Sequence, residues 1–402
     1  MNYKGGKIME KKVYLQIPGP TNVPNRILTT LSKPLINHRG PEFEELLTSC
    51  VNGLKKVFRT NNDILMFPSS GSGGLESAIV NLFSPGDTIV AACHGLFSER
   101  LALIADKYGV NTIKIQKEWG EAIKVEEIEE VLKQDVAKNI KAVCLPQNET
   151  TSGISNDIES IGKMMKESGH PALLIVDVVS SLACLPFETD AWGVDVAITA
   201  SQKGFMLPPG LSMVSISEKA WKLTEESKLP KWYWDYRAVR EFIKKNQLPY
   251  TPPTTLLFGL KESLDILEEE GLENVWARHA LMAEATRNSI KAMKLTFYAE
   301  EGYQSDTVTA VNMPDGIKFV DLAAILREKY GVVISGGLQK IQGKIFRIGH
   351  MGSIHELDVY AVMGAIEMSL FELGYKVELG TASKAVSETF LKWRWENVVC
   401  NH

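Results

Sequence analysis

Lys203 lies in Ser201-Gln202-Lys203-Gly204, directly after the apolar run 194–199. A lysine at the mouth of a buried strand is where desolvation lowers an amine's pKa, and a neutral amine can form a Schiff base with an aldehyde. The same tetrapeptide also fits an ordinary surface turn. Asp177 bears on the choice, because it ends the run Leu173-Leu174-Ile175-Val176, where a carboxylate is costly unless a cation or donor groups meet it. A helix N-cap or a local ion pair would serve, and so would a protonated pyridine nitrogen. The third feature is Ser70-Gly71-Ser72-Gly73-Gly74, between the apolar run 64–67 and a helical stretch at 75–83. Small residues there let backbone N–H groups close on a phosphate at a helix N-terminus, with hydroxyls as further donors. A tight strand-to-helix connection asks for the same residue types. The segment has neither the G-x-G-x-x-G spacing nor a closing Gly-Lys-Ser/Thr, which disfavours NAD and ATP as owners of that phosphate. A phosphate cup, a carboxylate and a lysine, in this chain order, are together the three anchors of pyridoxal phosphate.

Such residues need a scaffold that brings strand ends together. Short β-rich runs at 64–67, 88–92, 112–115, 141–145, 173–178 and 194–199 read as buried strands, with helices between them at 75–83, 98–108, 125–133 and 157–167. This alternation predicts an α/β domain with a mainly parallel sheet, whose ligands collect at the carboxyl ends of the strands. After Leu248-Pro249-Tyr250-Thr251-Pro252-Pro253 the pattern changes to long helices at 256–269 and 275–293. A smaller α+β domain follows, with strands at 307–311 and 345–348 and a helix at 320–330. The tail from about residue 380 carries Phe390, Leu391, Trp393 and Trp395, which suit one amphipathic helix.

Composition narrows the class. The 402 residues are 45% hydrophobic and 23% charged, the range of ordinary globular proteins rather than disordered or fibrous ones. With 44 Lys+Arg against 49 Asp+Glu and no basic half, the chain argues against nucleic acid as a main partner. No apolar run approaches the ~20 residues of a membrane span. The charged opening at residues 1–12 does not read as a secretory signal. The five cysteines Cys50, Cys93, Cys144, Cys184 and Cys400 are scattered and lack metal-ligand spacing. Reduced thiols in a cytoplasmic protein, with no bound metal, are the expectation.

The segment 194–214, with Ser201-Gln202-Lys203 and then Gly210-Leu211-Ser212, resembles the cofactor-lysine signature of class V aminotransferases. Pro18-Gly19-Pro20-Thr21-Asn22-Val23-Pro24 and Arg347-Ile348-Gly349 extend the resemblance to the alanine–glyoxylate/serine–pyruvate group, over nearly the whole chain to about Lys376. That resemblance implies fold type I: an N-terminal arm (1–25), a large domain with a seven-stranded sheet (26–270), a small α+β domain (271–379) and a C-terminal extension (380–402) that the family does not explain. It further implies that Ser70, Gly71, Ser72 and Gln202 hold the cofactor phosphate, that Thr150 reaches its phenolic oxygen, and that Asp177 pairs with its ring nitrogen. Val179 and Phe97 would cover the two ring faces. Gly19 and Arg347 would meet the substrate, Arg347 gripping the α-carboxylate with paired hydrogen bonds. Thr251 matches a residue that serves the neighbouring subunit's site, so a homodimer is implied. The family tyrosine three residues before it falls on Leu248, and the adjacent Tyr250 is the candidate to take its place.

The implied reaction carries an amino group from alanine or serine to glyoxylate or pyruvate, with Lys203 moving the Cα proton. A cysteine desulfurase or lyase of the same fold is one rival, disfavoured by Gln202 before the lysine and Phe97 at the stacking position. A regulatory binding protein without cofactor is the other, disfavoured by the intact Lys203, Asp177 and Arg347. Arg39 is the nearby candidate for a second substrate-facing cation.

Overall fold

A computed structural model describes residues 12–398. Its centre is a seven-stranded sheet of β1 (Asp63–Phe67), β2 (Thr88–Cys93), β3 (Asn111–Gln116), β4 (Ile140–Pro146), β5 (Leu173–Asp177), β6 (Val196–Ala200) and β7 (Ser212–Ile216). Their spatial order is β1-β7-β6-β5-β4-β2-β3. All neighbours run parallel except β7, which is antiparallel to both β1 and β6. The α/β reading with a mainly parallel sheet therefore holds. Strands β5, β6 and β7 are buried along their whole length, as continuous apolar runs covered on both faces must be.

Two details depart from the sequence reading. β3 is not a buried strand but the sheet edge, with Ile113 39% exposed and Lys114 beside it; a four-residue apolar run does not reveal whether a second neighbour covers it. β7 was not apparent as a strand, because serines at 212 and 215 leave only Met213-Val214 as an apolar run. It is buried nonetheless.

Helices α1 (Asn25–Leu31), α2 (Pro41–Phe58), α3 (Gly71–Leu82), α4 (Leu96–Lys107), α5 (Val125–Gln134), α6 (Ile158–Ser168), α7 (Glu218–Glu226), α8 (Tyr236–Ile243) and α9 (Thr254–Glu270) accompany this sheet. They share one hydrophobic core with it, from Ile27 to Val275. Helix α10 (Leu272–Ala292) leaves that core after Val275 and enters a second one at Leu281. The second core is built on the antiparallel sheet β8 (Val308–Asn312), β9 (Ser335–Gly336) and β10 (Ile345–Gly349), in the order β8-β10-β9. Helices α11 (Phe319–Ile325), α12 (Glu356–Glu372) and α13 (Thr381–Val398) pack there. The helix expected at 320–330 ends as a π-turn at Leu326–Tyr330.

In α13 the buried stripe is Ala382, Val386 and Phe390, spaced four apart. Leu391, Trp393 and Trp395 lie outside it, 44%, 39% and 65% exposed, so the four apolar tail residues do not share one face. Residues 1–11 of the expected arm, and Cys400 with the last residues of the extension, lie outside the described residues. From Tyr14–Leu15 the chain pairs in parallel with Val332–Val333 of the second unit. It then crosses to the large sheet.

Candidate active site

The loop after β6 is closed by Ser201, whose N–H donates to the Leu211 carbonyl at 3.0 Å and whose hydroxyl donates to the Pro208 carbonyl at 2.8 Å. This places Lys203 at the carboxyl end of the sheet, half-buried, with its amine donating to the Pro18 carbonyl. The incoming N-terminal segment clasps the same turn: Thr21 donates its N–H to the Gln202 carbonyl and its hydroxyl to the Lys203 carbonyl, both at 3.1 Å. Gly19 lies against the lysine with φ +89°, and a Cβ there would come within 2.5 Å of the Lys203 side chain. Only glycine allows both that conformation and that approach. Burial, aided by the nearby Arg347 charge, lowers the Lys203 amine from 10.5 to about 8.

Asp177 ends β5 in the same cavity, of about 230 Å³, lined also by Ser70, Gly71, Ser72, Phe97, Thr150, Val179 and Gln202. One carboxylate oxygen accepts the Val179 N–H at 2.8 Å. Burial raises the Asp177 carboxyl to about 6 and outweighs that bond; the charge of Glu149 adds to the rise. Gly71 opens α3 above these residues, where a Cβ would meet Val179 Cγ2 at 2.7 Å. The glycine lets the helix N-terminus approach the strand end. Thr150 is held from below: its hydroxyl donates to the Ser180 hydroxyl at 2.7 Å, which in turn donates to the Asn148 carbonyl at 3.1 Å.

Arg347 comes from the second unit, in the middle of β10, and is 5% exposed. Its Nη1 donates to the Thr150 carbonyl and its Nε to the Gly336 carbonyl, both at 3.0 Å. Burial lowers its pKa to about 10, so it remains a cation at neutral pH. No carboxylate lies within ion-pair distance of it among the described residues. A fixed cation with unengaged N–H groups is a receptor for a carboxylate.

The class V aminotransferase family model matches residues 13–353. The chain belongs to this family. Among similar proteins, this aminotransferase is 41% identical over 384 residues to the serine–glyoxylate aminotransferase of Methylorubrum extorquens, covering 93% of this chain and 95% of that one. It is 39% identical over 377 residues to the L-aspartate–glyoxylate aminotransferase of Paracoccus denitrificans, with coverages of 93% and 95%. It is also 39% identical over 367 residues to a Synechococcus protein named soluble hydrogenase, small subunit, with coverages of 91% and 95%. Of solved structures, the ureidoglycine–glyoxylate aminotransferase of Bacillus subtilis superposes with a TM-score of 0.90 at 26% identity, covering 96% of this chain and 100% of that one.

Tyr250 and Thr251 are not in the cavity of their own protomer. Tyr250 stacks on Tyr233 with centroids 4.8 Å apart and donates its hydroxyl to the Trp232 carbonyl at 2.7 Å. Thr251 is exposed. Arg39 is also elsewhere: its guanidinium donates to Gln247 Oε1 at 2.9 Å and to the Leu248 carbonyl at 2.7 Å. The second cation of the aminotransferase cavity is instead Arg100 of α4, which sequence reasoning missed. Glu149 was missed too. Fully buried, its carboxylate accepts the N–H groups of Ser98 and Thr151, each at 2.9 Å, and so ties the first turn of α4, with Phe97, to the Thr150 loop. Each reads in sequence as an ordinary charge; only the spacing of Arg100 three residues after Phe97 hinted at a shared face.

Proposed function

We propose that this aminotransferase binds pyridoxal 5'-phosphate in the Lys203 cavity and transfers the amino group of alanine or serine to glyoxylate or pyruvate. The observation that carries the reading is the pairing of Lys203 and Asp177 in one cavity: an amine that burial brings near neutrality and a carboxylate with one oxygen unbonded among the described residues. The residues present fit the cofactor. Gln202 Oε1 is buried with no partner, and the N-terminus of α3 opens onto the same cavity. When bound, the cofactor supplies an aldehyde for amine capture and a conjugated ring that accepts the charge left at the substrate Cα.

The protein's own contribution follows residue by residue. Lys203 Nζ would be the amine that holds the aldehyde and, as a free amine, the base that moves the proton from Cα. Asp177 would hold a proton at the ring nitrogen, Val179 and Phe97 would confine the ring, and Thr150 would lie within reach of its phenolic oxygen. Ser70, Gly71, Ser72 and Gln202 hold the phosphate. Arg347 grips the substrate α-carboxylate, and Gly19 leaves room beside the lysine. The names of the similar proteins, all but one of those given above being glyoxylate aminotransferases, support the acceptor.

The same reading makes the working unit a homodimer. The exposed Thr251, with Tyr250 beside it, would complete the partner's phosphate site, in a cytoplasmic protein with the four domain segments expected above. Two separate hydrophobic cores support that division, and four buried free cysteines suit a reducing compartment.

Borohydride reduction of the purified protein with pyridoxal 5'-phosphate, followed by peptide mapping, should label Lys203. A donor–acceptor panel should give alanine or serine at least ~10-fold higher kcat/KM than glutamate or aspartate. Label on another lysine would overturn the cofactor reading; aspartate equal to serine would overturn the donor reading. Mixed Thr251→Val and Lys203→Ala subunits should recover activity in heterodimers, and heterodimers without recovery would remove the contact in trans.

A further inference from the structure

Arg100 stands on α4 three residues beyond Phe97, on the same helical face. Its guanidinium carbon is 4.9 Å from the Phe97 ring centroid, a cation–π contact. Its Nη1 is 2.9 Å from the Ser72 hydroxyl, and all three residues line the cavity. No carboxylate forms an ion pair with Arg100 among the described residues.

The direction of the Ser72 bond is decided by chemistry. A guanidinium has donors only, so the Ser72 oxygen is the acceptor. A hydroxyl whose oxygen is engaged in this way still has one proton to give, and no described residue takes it. Ser72 is also the second residue of α3, where the free backbone N–H groups and the helix dipole favour an anion. A bare serine hydroxyl can turn and accept from those N–H groups or from water. With Arg100 on one of its lone pairs, the hydroxyl proton is directed away from the guanidinium and is available to an acceptor in the cavity.

We propose that Arg100 is a positioning residue for phosphate recognition, acting through Ser72. Its bond commits the Ser72 hydroxyl to donate to the cofactor phosphate, and its stack on Phe97 keeps the guanidinium in place. The inference rests on the cofactor reading above and adds to it a residue that never needs to touch the reacting atoms.

The test is a binding cycle on protein freed of bound cofactor, read by equilibrium dialysis rather than by turnover. Dissociation constants for pyridoxal 5'-phosphate and for pyridoxal give a phosphate preference ratio. Arg100→Met should lower that ratio about tenfold, as expected for losing a charge-assisted arrangement, and should leave pyridoxal binding within about twofold. In a Ser72→Ala background the same substitution should change the ratio less than about twofold, since coupled residues are non-additive. Equal factors in both backgrounds, or a fall in pyridoxal binding that matches the fall for the phosphate ester, would overturn the proposal. If Arg100→Met loses its thermal unfolding transition, Phe97→Leu replaces it in the cycle: loosening the stack should lower the ratio in the Ser72 background only, and an equal loss in both overturns the proposal. A wild-type protein without any preference for the phosphate ester would sink the cofactor reading itself, a separate outcome.

Discussion

The carboxyl end of the large sheet and the small sheet's central strand each bring one cation to the site, and burial acts on both. Lys203 sits on a loop, half-buried, and its pKa falls to about 8. Arg347 is locked between two ladder partners, Ala310 and Ser335, and starts from 12.5, so a similar fall leaves it at about 10. The lysine therefore crosses between charged and neutral near working pH, whereas the arginine never does. Desolvation thus leaves one residue able to carry a proton and the other a fixed charge. The two are also coupled, because the Arg347 charge helps to lower the Lys203 amine.

The largest effect expected is from Lys203→Ala, which removes both the proposed attachment point and the proposed proton carrier. Turnover should fall by on the order of 10⁴-fold, while circular dichroism and the unfolding temperature stay close to wild type. Retained turnover would end the assignment of the proton step to the large sheet. Arg347→Ala comes next. Loss of a charged hydrogen bond of about 1.5–3 kcal/mol should lower kcat/KM for carboxylate donors about ten- to a hundredfold, and borohydride labelling of Lys203 should persist. If labelling is lost as well, the two cations are not separable functions.

Asp177 offers a stability test on cofactor-free protein. Its carboxyl keeps its proton to about pH 6 in the fold but titrates near 3.8 when unperturbed. Between those values the native state binds more protons, so stability falls as pH rises, and the cost is fully present above about pH 6. Asp177→Asn should therefore stabilise the protein at pH 8 by on the order of 2–3 kcal/mol. Near pH 4 the gain should vanish, and thermal melts at the two pH values would decide it; an equal gain at both would show that burial is not what perturbs the carboxyl.

The smallest effect measures the coupling between the two regions. Capture of pyridoxal 5'-phosphate by the amine needs its neutral form, so the rate should rise with pH around a midpoint of about 8. Removing the Arg347 charge by Arg347→Ala should move that midpoint upward. A downward shift would mean that the charges do not sense each other as the geometry requires.

Much of the large sheet was legible because its strands are short apolar runs broken by polar or glycine-rich turns. Asp177, Lys203 and the Ser70 to Ser72 turn each stand at such a break, so local sequence marked them. Arg347 was legible only through resemblance, since an arginine in a strand of the small sheet carries no local sign of what it faces. The edge position of β3 was hidden for a similar reason: its residues do not state how many neighbours a strand will have. The apolar tail residues misled because Phe390 alone of the four continues the Ala382 and Val386 stripe.

The sequence by itself determined the order of cup, carboxylate and lysine along the chain, because glycine tolerance, strand patterning and side-chain chemistry are local properties. Tertiary structure alone decided their electrostatics. The Lys203 amine and the Asp177 carboxyl shift because the packed sheet removes water from both, and desolvation depends on what surrounds a group rather than on its neighbours in sequence. It also decided that Arg100 meets Ser72 across α4 and α3 while Arg39 is spent on the Leu248 carbonyl. A long cationic side chain looks the same in any sequence; which acceptor it finds is settled only when the helices pack.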